Sequence, residues 1–219
     1  MKQSKISIIY LTGALLIFIA VALLAAQKVL ASGNRGPLQA SVNWHAQSGT
    51  GPVAGAYATL NTNANGASFT FHATQLKPGH VYTVWFVAIN APENCATSPC
   101  TAPADVLGNT EGVQANVTYG AGHVVGEGSQ ATFSGFIPAG DMPNGWFSSP
   151  FSNPLGAEIH LVLNDHGPKI PELVSNMLHT YRGGCTDESL PPPFPETAKA
   201  DGIPGPNTCR LYQVAIFQQ

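Results

Sequence analysis

Residues Leu155–Pro171 read LGAEIHLVLNDHGPKIP, and the alternation inside this stretch decides between strand and helix. Ile159, Leu161 and Leu163 recur at every second residue, the period of a strand with one face on a core. Between and beside them stand Glu158, His160, Asp165 and His166, the densest set of metal-binding side-chain types in the chain. A strand over 155–164 is therefore predicted, with any chemistry attached to its polar face.

Toward the N-terminus the same period recurs. PAGDMPNGWFSSPFSNP, residues 138–154, is too rich in Pro, Gly, Asn and Ser for regular structure and reads as a long loop. Strands are expected at Gln130–Ile137 and Val113–Tyr119, separated by a Gly-rich corner that carries His123. His80–Asn90, HVYTVWFVAIN, is apolar on both alternating sets, which marks a central strand covered on both faces. Further back, AYATLNT and ASFTFHATQL flank NANG, and Asn65-Gly66 suits a tight hairpin turn. Leu38–Gln47 supplies a first strand, anchored by Val42 and Trp44.

Toward the C-terminus, Glu172–Tyr181 places Leu173, Val174, Met177, Leu178 and Tyr181 on one helical face, and Gly183-Gly184 stops it. Residues 186–208, with PPPFP, form an irregular excursion, and Arg210–Phe217 is a final strand, apolar on both faces. Roughly eight or nine short strands with frequent turn signals predict a mainly β protein, a two-sheet antiparallel sandwich of immunoglobulin-like type with one short helix.

The N-terminus sets the compartment. MKQSK precedes Ile6–Ala26, a run without a charge, long enough for a hydrophobic helix that crosses a bilayer. Either it anchors the chain, charged end inside, or it is a signal peptide cleaved after Ala31. The expected organisation is a targeting segment over 1–31, a linker over 32–37 and one extracytoplasmic domain over 38–219. Lys2, Lys5 and Lys28 account for three of the nine Lys and Arg, so beyond them 6 bases face 12 acids, a formal charge of −6. Without clustered cations nucleic acid is not an expected partner; the membrane is one if the segment stays uncleaved. Four cysteines, Cys95, Cys100, Cys185 and Cys209, all lie in the exported part, where an even count reads as disulfides. The expected pairing is Cys95 with Cys100, closing a small loop, and Cys185 with Cys209, tying the Pro-rich excursion at its base.

The phrases GHVYTVWFVAINAPENC, YGAGHVV, NPLGAEIHLVLNDHGP, GGC and LYQVAIF together resemble a group of exported bacterial proteins of no established function. The resemblance covers about residues 38–217 and implies a β-sandwich distantly similar to chordin-type (CHRD) domains, though the His-x-His run of that family is absent. It carries over no catalytic residue.

Candidate chemistry is limited to a few residues. A metal site for Zn or Cu would draw on His80, His123, His160 and His166, with Glu158 or Asp165 as an oxygen ligand, provided the strand ends carrying them are neighbours. No motif requires a cofactor, and HExxH, GxSxG and a Walker loop are all missing, so an enzyme is not expected. Trp146, Phe147 and Phe151 in the 138–154 loop would either present an aromatic platform to a glycan or envelope protein, or cap the end of the fold. The sequence thus predicts a non-enzymatic envelope or secreted domain of structural or binding type, with metal binding as the alternative.

Overall fold

The computed structural model describes residues 36–142 and 144–219. The apolar segment 6–26, the two fates of the N-terminus and most of the expected linker lie outside them. Among the described residues no helix is long and apolar enough to cross a membrane.

Eight strands carry the fold: β1 Leu38–Trp44, β2 Pro52–Asn63, β3 Gly66–Ala73, β4 His80–Ile89, β5 Ala115–Val124, β6 Ala131–Pro138, β7 Glu158–Pro168 and β8 Arg210–Phe217. Among the described residues the α-helices are short: α1 Thr110–Val113, α2 Val174–His179 and α3 Glu196–Ala200. The ten-residue helix expected at 172–181 forms only as α2, because Thr180 turns to extended backbone and its hydroxyl caps the Asn176 carbonyl at 2.8 Å.

All strand pairings are antiparallel, in the order β5-β4-β7-β8-β1-β2-β3-β6. Hydrogen bonding runs through all eight strands without a break, where two separate sheets were expected. The continuity is thinnest at β8–β1, which pair only at Asn43↔Val214 and Trp44↔Gln213. About this joint the sheet rolls over, so that one core takes Leu60, Phe69, Phe71 and Phe133 from one half and Phe86, Ile159, Leu161 and Leu163 from the other.

The expectation for β4 holds on both faces. Tyr82, Val84, Phe86 and Ala88 enter the rolled core, while Trp85, Val87 and Ile89 enter a second cluster outside the sheet. That cluster is closed by chain segments held down by the two disulfides, with Trp146, Tyr181, Leu190 and Ala198 as its lid. The expected pairing of cysteines is the observed one, Cys95–Cys100 and Cys185–Cys209.

Two local expectations are corrected. β5 does not end at Tyr119; it runs on through Gly120, Ala121, Gly122 and His123. These glycines are strand residues chosen for close approach. A Cβ on Gly122 would lie 2.2 Å from the Leu178 carbonyl oxygen, and one on Gly120 would lie 2.8 Å from the Phe69 ring. The β2–β3 hairpin forms, but Asn63 pairs with Gly66, so the two turn residues are Ala64 and Asn65. Gly66 has φ +141° and meets β6, where any side chain would strike the Ile137 carbonyl.

Candidate functional site

β7 sits between β4 and β8, so both its edges are paired, and almost all its residues on both faces are buried. Ile159, Leu161 and Leu163 are fully buried in the rolled core, as their alternation predicts. The polar residues are buried too: Glu158, His160, Asn164, Asp165 and His166 are each at most 6 % exposed. A buried polar side chain is costly unless hydrogen-bonded, so its partners define its chemistry.

His166 is the most enclosed. Its Nδ1 lies 2.9 Å from the Gly183 carbonyl, which only accepts, so Nδ1 carries the proton and Nε2 is an acceptor. The Thr83 hydroxyl donates to Nε2 at 2.8 Å and itself accepts the Trp85 indole N–H at 2.8 Å. The chain of donors is complete only with a neutral imidazole. Burial lowers the His166 pKa to about 4, against the smaller opposing pull of the Gly183 carbonyl and the Asp165 charge.

At the same end of β7, Asp165 Oδ1 accepts both His80 Nδ1 and the Gly167 N–H, each at 2.8 Å. The His80 ring is inclined by 26° to the Tyr82 ring, with centroids 6.2 Å apart. Burial, reinforced by the Asp165 charge, pushes the Tyr82 hydroxyl far above the usual phenol range. It accepts the Lys77 N–H at 3.2 Å.

The opposite end of β7 is the open one. Glu158 Oε1 accepts His160 Nε2 at 2.7 Å and the Cys100 N–H at 2.8 Å, and Oε2 accepts the Gln218 amide at 3.1 Å. Burial pushes this carboxyl up, but the His160, Cys100 and Gln218 contacts outweigh it and hold the group below its ordinary value. Asp105, which the sequence did not single out, braces the same disulfide loop. Its oxygens take the Thr101 and Ala96 N–H groups, each at 2.7 Å, and these bonds lower its pKa. Its only sequence signal is Thr101 four residues earlier, whose hydroxyl also donates to it. Between this loop and the C-terminal residues lies a cleft of about 430 Å³, lined by Glu93, Cys95, Ser98, Glu158, Gln218 and Gln219 among others. Its carboxylates and amides suit a hydroxyl- or ammonium-bearing ligand. They form no nucleophile–base pair.

The four histidines do not converge. His160 and His166 are six residues apart on one strand, about 20 Å by strand rise. His123 is exposed, faces Tyr82 in register and sets its ring edge-on to Phe133. Among the described residues, two groups bring three ligand atoms within 4.8 Å of one another: His166 with Cys185 and Cys209, and Asp105 with Cys95 and Cys100. In each the two sulfurs are bonded to one another, so neither offers thiolates in this oxidised state. What the fold does assemble is three separate pairs, His80–Asp165, His160–Glu158 and His166–Thr83. The aromatic loop residues are enclosed as well. Phe151 is fully buried against Phe86, Trp146 packs on Tyr181 and Trp85, and Phe147 is half-buried, so this loop caps the fold and offers no open platform.

Fold and site together define a disulfide-stapled antiparallel β domain with an acidic, amide-lined cleft at one end of its central strand. No family model, curated protein or solved structure matches the chain.

Proposed function

We propose that this chain is an exported or membrane-anchored envelope protein whose β domain has a binding or structural role and no catalytic one. The observation that carries this is the complete pairing of its cysteines, with no free thiol. Disulfides of this kind persist outside the reducing cytoplasm, in keeping with the charged and then apolar N-terminus. The polar residues of β7 agree: each is spent on an internal hydrogen bond, and the one hydroxyl on a β7 histidine, that of Thr83, is wholly buried. The narrow β8–β1 joint supports reading the rolled sheet as two four-stranded layers, the sandwich that kinship with the chordin-like exported proteins implies.

The test is made on the full-length protein in its source cells. Protease added outside should reach the domain, and alkylation should label four cysteines only after reduction. A protease-protected domain whose thiols alkylate without reductant would overturn the proposal. Stoichiometric zinc or copper in the purified protein would instead establish the metal-binding alternative.

A further inference from the structure

One half of the sheet has an outer face with an unusual composition. Between Arg35 and Lys77 the chain carries no charged residue, and β6 carries none either. Register aligns the outward side chains of β1, β2, β3 and β6 in three rows. Ser41, Tyr57, His72 and Thr132 form one; Gln39, Thr59, Thr70 and Ser134 the next; Asn61, Ser68 and Phe136 the last. All are exposed or half-exposed, and no other element of the described chain lies over them. Hydroxyls pair across strands, Thr70 with Ser134 at 3.3 Å, and Thr132 meets His72 Nδ1 at 3.0 Å. Tyr57 lies against the His72 ring, with centroids 5.1 Å apart, and it and Phe136 are the face's exposed large hydrophobic side chains.

From this face we infer a binding surface for a neutral polysaccharide; the inference rests on the proposed binding role and names its ligand class. The charge pattern excludes polyanions, which need Lys or Arg to neutralise them, and offers nothing to a cationic ligand. A second protein surface fits poorly, since stable interfaces bury ~1,200–2,000 Å² around a packed apolar centre. Here the centre is Thr59, Thr70 and Ser134, and the two rings stand apart in the first and last rows. Two strand steps and four residues of rise put Tyr57 and Phe136 about 16 Å apart, a span for a chain of sugars and not for one. Rings that stack on the C–H faces of sugars, with hydroxyls and amides between to exchange hydrogen bonds, are the complement of an uncharged polyhydroxylated polymer.

The full-length protein in mild detergent is mixed with insoluble cellulose, with chitin and with the acidic polymer alginate, and depletion from solution is measured. Cellulose or chitin should deplete the protein equally at low salt and at half-molar salt, and alginate should not. Tyr57→Ser with Phe136→Ser should weaken binding at least tenfold without shifting the melting transition. Thr70→Lys, a single charge in the central row, should do the same. Failure to bind either neutral polymer overturns the inference, as does binding abolished by salt, binding that survives both variants, or binding that is lost on Glu158→Gln and so belongs to the cleft. Self-association that the Thr70→Lys variant abolishes would also overturn it, because the face would then be a dimer interface. A domain reached by external protease yet blind to both neutral polymers overturns this inference alone and leaves the exported-domain proposal standing.

Discussion

His166 shows how a residue type that suggests a ligand becomes structural. The Gly183 carbonyl dictates its tautomer, and both ring nitrogens are occupied before any ion or substrate arrives. The consequence is a pH dependence whose sign follows from the direction of the shift. The folded pKa, about 4, lies below the ordinary 6.5, so the unfolded chain takes up the proton first. Stability is whole above about pH 6.5 and falls as the pH drops, by roughly 3 kcal/mol when pH 4 is reached. Glu158 and Asp105, both lowered, lose their contributions only further down, as the pH falls through their folded values. Urea unfolding across pH 4–7 should therefore show a slope that His166→Gln largely removes, with a remainder from His45, which burial also lowers. An unchanged slope in that variant would mean that His166 is not held neutral. At this scale the sequence picked out the polar residues of β7 but could not name their partners. Thr83, Gly183 and the Cys100 N–H are brought to β7 by strand pairing and loop closure, and no local pattern encodes either.

Among elements, legibility followed side-chain alternation. β7, β4 and β8 were readable because buried residues recur with the strand period on one face or both. β5 was cut short because Gly120 and Gly122 read as a corner, when they serve the close packing of a strand under α2 and against Phe69. Gly122→Ala tests this, since its new methyl would stand 2.2 Å from the Leu178 carbonyl oxygen, a backbone atom that cannot swing aside. A loss of about 1–3 kcal/mol or more is expected in denaturant unfolding. Gly126→Ala is the control: no atom stands within 4 Å of its would-be Cβ, and it should change stability by less than about 0.5 kcal/mol. Equal effects from the two would show that β5 is not tightly packed through its glycines. The aromatic loop was readable as apolar, but whether Trp146 and Phe151 face solvent or core depends on Trp85, Tyr181 and Phe86 beneath them.

For the whole molecule, class and staples were legible and strand order was not. Hairpins such as β2–β3 follow from adjacency, whereas β7 between β4 and β8, or β3 against β6, joins segments far apart in the chain. No pattern in the sequence says where the two halves of the sheet join. That joint is β8, the last strand in chain order, set in the middle of the sheet between β7 and β1. A chain ended before Arg210 should lack protease resistance and a cooperative melting transition, even with Cys95–Cys100 formed. A truncated chain that melted cooperatively would show that one half of the sheet folds by itself. The position of β8 also sets a clock. However early residues 38–168 are made, the two halves of the sheet share no strand pairing until β8 is laid between β7 and β1, so the ladder of backbone hydrogen bonds closes with the last of the eight strands to be made.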